Sequence, residues 1–121
     1  MDGHTVLVVD DDDGVVEVMR EMLEDRGDRV LAAVGAEALR LAREGHPDVI
    51  LLDLAMPGMD GFMLARCLRR DPATAPIPII AISGADRLWE AAPRLPADDL
   101  LAKPFHFGDL YALVDRWTGL A

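Results

Sequence analysis

The chain has 121 residues, 51% of them hydrophobic, which is enough for one domain with a single core. Its 22 acidic residues outnumber the 12 basic ones, and the formal net charge of -10 argues against a nucleic-acid partner because it would repel a phosphate backbone. The apolar runs are much shorter than the roughly 18 to 20 residues that cross a bilayer, and the first residues do not form a secretory signal. We therefore expect a cytoplasmic protein without a membrane partner.

Short apolar runs rich in β-branched residues alternate along the chain with segments of helical period. This alternation is typical of a parallel sheet that is covered by helices on both faces. The predicted strands span residues 5–9, 29–34, 49–52, 77–82 and 100–102. The sequence thus predicts a single α/β domain with a doubly wound, five-stranded parallel sheet.

Each strand is followed by a predicted helix. The first helix has an N-terminal cap at Asp12 or Asp13 and is followed by Gly27, which favours a helix end. The second helix spans residues 36–44 and ends at Gly45.

The later helices differ in how clearly the sequence indicates them. The third can be capped by Asp60 and runs to about residue 70, and the last has a stripe of apolar residues at helical spacing, at Leu110, Leu113, Val114 and Trp117. Between the fourth and fifth strands, only residues 86–92 have helical character, because Pro93 and Pro96 deny backbone donors to a longer helix. We predict that this fourth helix is short or irregular.

Polar side chains follow four of the predicted strands directly. The carboxyl ends of strands in a doubly wound sheet meet at one edge, where such folds bind ligands. One of these residues alone has an ordinary explanation as a helix cap or the start of a turn. Turn chemistry does not explain three carboxylates, a hydroxyl and an ammonium group at one edge, and these groups belong to Asp10, Asp11, Asp53, Ser83 and Lys103.

The charges of these residues indicate a metal and a phosphate. Two like charges about 4 Å apart cost about 4 kcal/mol at an effective dielectric constant of 20, so three clustered carboxylates need more positive charge than one lysine supplies. Hard oxygen ligands favour Mg2+. Lys103 and the Ser83 hydroxyl are suited to phosphoryl oxygens, and a carboxylate such as Asp53 can accept a phosphoryl group covalently.

At these positions the chain resembles the receiver domain of bacterial two-component response regulators. The resemblance extends over residues 5–117. It rests on four motifs in this order: Val8-Val9-Asp10-Asp11, Leu51-Leu52-Asp53 with Met56-Pro57-Gly58-Met59-Asp60-Gly61, Ile82-Ser83-Gly84, and Lys103-Pro104-Phe105.

The resemblance implies a flavodoxin-like fold with strand order 2-1-3-4-5 and five helices. It implies that Asp53 is phosphorylated, that Asp11 and Asp53 bind Mg2+ directly, that Asp10 holds the metal largely through water, and that the backbone carbonyl of Ala55 completes the protein ligands. Mn2+ is expected to substitute for Mg2+. Ser83 is then the residue that moves onto the phosphoryl group.

Further implications concern Lys103 and the partners. Lys103 pairs with the acceptor, and its peptide bond to Pro104 is cis. The donor is a phosphohistidine on a sensor kinase or a phosphotransfer protein, and downstream proteins contact the face formed by helix 4, strand 5 and helix 5. Residues 1–121 are expected to be a receiver domain without an effector domain, which catalyses its own phosphorylation and slow dephosphorylation but is not an enzyme in the usual sense.

Three positions depart from the family pattern. Leu100 stands where many receivers have an aromatic residue that swings inward, so we expect residues 84–99 to report phosphorylation instead. Ala55 and Ala85 stand where side chains often guide or block the hydrolytic water, and neither alanine can do so. The lifetime of the phosphorylated state therefore does not follow from the sequence.

Two alternatives stay open at this point. Val8-Val9 followed by Asp11 and Asp13 also looks like the first motif of haloacid dehalogenase-type phosphatases, with Asp11 as nucleophile and Asp13 as acid or base. That interpretation leaves Asp53 without a role and places Asp98-Asp99 before the lysine instead of after it. The other alternative is a receiver-like binding module that is never phosphorylated.

Overall fold

The computed structural model of the protein describes residues 3–54, 61–84, 86, 88, 90 and 92–119. The five parallel strands lie in the order β2-β1-β3-β4-β5, which confirms the predicted sheet. The strands are β1 (Thr5–Val9), β2 (Arg29–Ala33), β3 (Val49–Asp53), β4 (Ile79–Gly84) and β5 (Asp99–Lys103). The α-helices with described bounds are α1 (Asp13–Asp25), α2 (Ala36–Gly45), α3 (Gly61–Arg70) and α4 (Phe107–Thr118).

Helices cover both faces of the sheet, which explains why the strands are continuously apolar. Successive side chains of a strand point to opposite faces. Leu7, Ile50 and Ile79 pack in one cluster with α2 and α3, while the next residue of each strand packs in a second cluster with α1 and α4. Each strand thus contributes to two cores.

The helix boundaries follow from local hydrogen bonds. The Asp12 carboxylate accepts hydrogen bonds from the backbone N–H groups of Gly14 (2.9 Å) and Val15 (3.2 Å), so Asp12 is the N-terminal cap of α1 and Asp13 is its first residue. Gly27 follows with φ 94°, a conformation that glycine adopts without strain.

The end of α2 differs from the prediction by one residue. Gly45 is the last residue of the helix, and the left-handed conformation is adopted by His46 at φ 47°. A side chain on Gly45 would have its Cβ 2.7 Å from the Leu31 side chain, so close packing on β2 explains the glycine. Asp60, the predicted cap of α3, lies outside the described residues.

The connection between β4 and β5 contains helical residues and a 3-10 turn within its described part. Asp86, Leu88 and Glu90 are helical, and a 3-10 turn follows at Ala92–Arg94. Leu88 and Leu95 are buried against the core on the α2 and α3 side. None of the described helices is long and apolar enough to span a membrane.

Candidate functional site

The register of the sheet brings the predicted acidic residues together. β1 pairs Val9 with Leu52 of β3, so the residues that follow them, Asp10 and Asp53, lie side by side at the carboxyl edge. One carboxylate oxygen from each of Asp10, Asp11 and Asp53 lies within 4.8 Å of the other two. Asp10 and Asp53 are only 6% and 5% exposed, whereas Asp11 is exposed.

Burial makes the charge on Asp10 unfavourable. Desolvation raises the pKa of the Asp10 carboxyl above 3.8, and the neighbouring Asp53 charge adds to this effect. The backbone N–H of Asp12, which donates to Asp10 Oδ1 at 2.9 Å, and the Lys103 charge both lower this pKa but do not cancel the rise. The site therefore holds more negative charge than its own residues neutralise.

Lys103 places a positive charge beside Asp53. It is the single lysine in the chain and the last residue of β5, where it pairs with Gly84 of β4. Its Nζ lies 3.5 Å from Asp53 Oδ2, and its side chain is 36% exposed. The peptide bond between Lys103 and Pro104 is cis, as the resemblance implied.

Ser83 lies at the same edge of the sheet and carries a buried hydroxyl. Its residue is 1% exposed, and its Oγ has no hydrogen-bond partner among the described residues. Its backbone pairs with Ala102, one residue before Lys103. The hydroxyl can therefore bind a ligand without breaking a hydrogen bond to any described residue.

Strand pairing extends further than the sequence indicated, because backbone hydrogen bonds do not require apolar side chains. Asp53 is the last residue of β3 and pairs with Ile82. Ser83 and Lys103 also belong to their strands and do not follow them. The three side chains are thus carried by paired backbone, which fixes their positions.

The other residues named from the sequence are Ala55, Ala85 and Asp13. Ala55 and Ala85 are outside the described residues, as is the loop of residues 56–60. Asp13 is exposed in the first turn of α1 and does not belong to the three-carboxylate cluster. The phosphatase alternative required Asp11 and Asp13 to work together, but the partner of Asp11 in this cluster is Asp53.

An apolar groove beside the site was not recognised from the sequence. It has a volume of about 730 Å³ and lies between the first half of α1 and the chain after β5, next to Lys103. Val18 and Phe107, which line it, are 46% and 38% exposed. Both residues follow a helical pattern that also suits a core, so the sequence alone did not distinguish them.

The cluster fits Mg2+ by its chemistry. Three carboxylate oxygens within 4.8 Å of one another are hard ligands, and the described cluster contains no histidine or cysteine. The raised pKa of Asp10 shows that added positive charge would be favourable there.

Comparison with known proteins agrees with this geometry. The family model of the response regulator receiver domain matches residues 6–115. The chain belongs to this family. Protein PilH of Pseudomonas aeruginosa is 38% identical over 104 residues, which cover 82% of this chain and 84% of PilH.

Other relatives place the receiver domain in longer proteins or show it with metal. Response regulator PleD of Caulobacter vibrioides is 39% identical over 116 residues, which cover 93% of this chain but only 26% of PleD. The receiver domain of the sensor histidine kinase PA1611 from Pseudomonas aeruginosa was solved with a magnesium ion coordinated in the active-site cleft. It has a TM-score of 0.88 and 32% identity to this chain, and the match covers 97% of this chain and 98% of that one.

Asp10→Asn is predicted to raise the unfolding temperature in EDTA at pH 7, because it removes a buried charge but keeps an oxygen that can accept from Asp12. A pKa that is higher in the folded state than in the unfolded state means that the folded protein binds the Asp10 proton more tightly. The protonated carboxyl contributes its full stabilisation of the folded state below pH 3.8, and this stabilisation is lost as the pH rises through the raised pKa. The difference between variant and wild type should therefore be absent in acid and should open above about pH 4.

Thermal unfolding in EDTA over a pH series measures this difference. Glu21→Gln, at an exposed position of α1, is the control and should show no comparable gain. A lower unfolding temperature for Asp10→Asn at pH 7 would contradict the electrostatic account of the site.

Proposed function

We propose that this receiver domain accepts a phosphoryl group on Asp53, in a reaction that depends on Mg2+, and signals by changing its contacts with other proteins. The observation that carries the proposal is the cluster of three carboxylates beside the single lysine at the carboxyl edge of the sheet. We further propose that residues 1–121 form this one domain, and that it acts in the cytoplasm.

Asp53 is the nucleophile. One of its carboxylate oxygens attacks the phosphorus of a phosphohistidine; the new O–P bond forms as the P–N bond breaks, and the imidazole nitrogen keeps the electron pair. Catalysis of phosphoryl transfer consists mainly of positioning and electrostatic stabilisation. Asp53 suits this task because strand pairing fixes it and burial removes most of its water.

Lys103 neutralises charge that the transfer brings to the site. Its Nζ, 3.5 Å from Asp53 Oδ2, is close enough to pair with the carboxylate before the reaction and with a phosphoryl oxygen after it. Its partial exposure lets the side chain follow the incoming group.

Asp10, Asp11 and Asp53 would hold Mg2+, together with the backbone carbonyl of Ala55. Mn2+ would substitute, since it takes the same oxygen ligands. The bound ion supplies positive charge that offsets both the carboxylates and the phosphoryl oxygens.

Ser83 provides the driving force for the signal. A buried hydroxyl without a partner costs about 1–3 kcal/mol, and the Ser83 Oγ has none within the described part of the chain, so it gains a hydrogen bond when a phosphoryl oxygen comes within reach. Phosphorylation thereby favours the conformation in which Ser83 contacts the phosphoryl group. Leu100 stands where an aromatic residue would swing inward, so the connection between β4 and β5 is the element that reports this change.

The partners are proteins. The donor is a histidine kinase or a histidine phosphotransfer protein, and the target contacts the face formed by the β4–β5 connection, β5 and α4. Within that face α4 is joined to β5, because Trp117 Nε1 of α4 donates to Asp99 Oδ2 of β5 at 2.9 Å. The domain catalyses its own phosphorylation and slow dephosphorylation.

Incubation with acetyl phosphate and Mg2+, followed by intact mass spectrometry, tests the proposal. We expect one added phosphoryl group with Mg2+ and none with EDTA. A wild-type chain that gains no phosphoryl group from small donors or from a histidine kinase would be a binding module, and the proposal would be wrong.

A further inference from the structure

Arg69, near the end of α3, joins three separate parts of the chain. Its Nε donates to the carbonyl of Pro96 at 3.1 Å, and its Nη1 donates to the carbonyls of Ala75 (3.0 Å) and Ile77 (2.8 Å). Its Nη2 forms an ion pair with Asp98. One guanidinium group thus binds α3 to the residues before β4 and to the residues before β5.

Asp98 reinforces the same junction. Its carboxylate also accepts a hydrogen bond from the backbone N–H of Ile79 at 2.8 Å, and its own N–H donates to the Ile79 carbonyl at 2.8 Å. The side chains of Arg69 and Asp98 are only 24% and 31% exposed, so water screens their interaction less than it screens a surface ion pair.

This junction lies at the far end of the segment that must report phosphorylation. The β4–β5 connection leaves the sheet after Gly84, next to Ser83, and returns to it through Pro96 and Asp98. Between these ends, it is attached to the core by the buried side chains of Leu88 and Leu95. A displacement that begins at Ser83 therefore meets a fixed point at Arg69 before it reaches β5.

We propose that Arg69 and Asp98 form a clamp that confines the rearrangement caused by phosphorylation to the part of the connection before Pro96. The clamp rests on the proposed function of Asp53. It protects β5, which carries Lys103 at its other end, so that the pairing of Lys103 with Gly84 survives the change. Arg69 is then a positioning residue: it does not touch the phosphoryl group but determines which residues respond to it.

Amide NMR shifts test the clamp. Shifts are recorded with Mg2+ alone and with Mg2+ plus beryllofluoride, a phosphoryl mimic, and the difference is taken separately for each variant. In the wild type we expect large differences at Gly84 and Leu88 and small ones at Ala97 and Asp98. In Arg69→Met, the differences at Ala97 and Asp98 should become comparable with that at Gly84.

The controls separate a positioning role from a structural one. Arg70→Met removes the adjacent exposed arginine, for which no hydrogen bond or ion pair is found within the described part of the chain, and should behave as wild type. Arg69→Lys keeps the charge but cannot reach three carbonyls with a planar fork, so its response should be intermediate. The dispersion of the amide signals shows whether each variant is folded. If Arg69→Met is not folded, Arg69→Lys still tests the clamp.

Two results would overturn the clamp. One is a wild-type response at Ala97 and Asp98 as large as that at Gly84, and the other is a response pattern that Arg69→Met and Arg69→Lys leave unchanged. Absence of any response at Asp53 and Ser83, in every variant, would instead overturn the proposed function and the clamp with it.

Discussion

Asp53→Asn is expected to abolish phosphorylation completely while leaving the domain folded. Asparagine has nearly the same shape as aspartate, but its amide is not a nucleophile towards phosphorus, so no O–P bond can form. The substitution also removes one of two adjacent buried carboxylates; the pKa of Asp10 is raised mainly by burial, and the repulsion from Asp53 that adds to this effect is lost. The folded state should therefore be as stable as that of the wild type, or more stable, in the absence of Mg2+.

Intact mass after incubation with acetyl phosphate and Mg2+ measures the loss, and thermal unfolding in EDTA measures the stability. Asp13→Asn is a matched control, because Asp13 is an exposed carboxylate outside the three-carboxylate cluster. It should be phosphorylated like the wild type. A phosphorylated Asp53→Asn variant would show that another carboxylate is the acceptor.

Lys103→Met is expected to change two properties in opposite directions. A hydrogen bond to a charged group contributes about 1.5–3 kcal/mol, so loss of the Nζ group should slow phosphorylation by roughly 10- to 100-fold if this contribution is made in the transition state. Removal of a positive charge 3.5 Å from Asp53 Oδ2 should at the same time strengthen Mg2+ binding, because the carboxylates lose a competing cation.

The rate of phosphoryl gain from acetyl phosphate measures the first effect, and titration calorimetry with Mg2+ measures the second. Arg29→Gln is the control, since Arg29 is an exposed arginine at the opposite end of the sheet. It should change neither property beyond a small effect of net charge. An unchanged rate, or weaker Mg2+ binding in Lys103→Met, would contradict the role assigned to the lysine.

The single lysine offers a further measurement of the same charge. Because Lys103 is the only lysine side chain, isotopic methylation labels only Lys103 and the amino terminus. The NMR signal of Lys103 should shift when Mg2+ binds and again when the phosphoryl group is added. A signal that responds to neither would place Lys103 outside the reaction.

The fold was predictable from the sequence because each buried strand is a short run of apolar residues with turn signals at its ends. Runs such as residues 49–52 are apolar at every position because both faces of the sheet are covered, and this feature indicated the parallel arrangement. A cap at Asp12 or Asp13 and the glycine at position 27 were likewise visible, since helix capping and backbone conformation at a helix end are local properties.

The grouping of Asp10, Asp11 and Asp53 was predictable for a different reason. Parallel strands end at one edge, so residues at the ends of neighbouring strands must meet there. The sequence did not indicate that Asp10 is buried, because burial depends on how the elements around the sheet edge pack, and it did not indicate which way the Asp10 side chain turns to accept from the Asp12 backbone. Those two features determine the charge balance of the site.

Contacts between side chains and distant backbone could not be predicted. In the sequence, Arg69 is one of two adjacent arginines at the end of a predicted helix, and no sequence feature distinguishes it from Arg70. Its partners are the backbone carbonyls of Ala75, Ile77 and Pro96, and a backbone carbonyl gives no signal in a sequence. The end of α2 was predicted one residue too early for a similar reason, because the packing of Gly45 on Leu31 is a tertiary contact.

The central claim is that Asp53 is the covalent acceptor, and trapping the acyl phosphate tests it most directly. The wild-type domain is phosphorylated with acetyl phosphate and Mg2+ and then reduced with borohydride, which converts the phosphorylated aspartate to homoserine. Peptide mass mapping then identifies the position. We expect homoserine at residue 53 alone, whereas homoserine at residue 11, with residue 53 unmodified, would contradict the account and favour a phosphatase that uses Asp11 as its nucleophile.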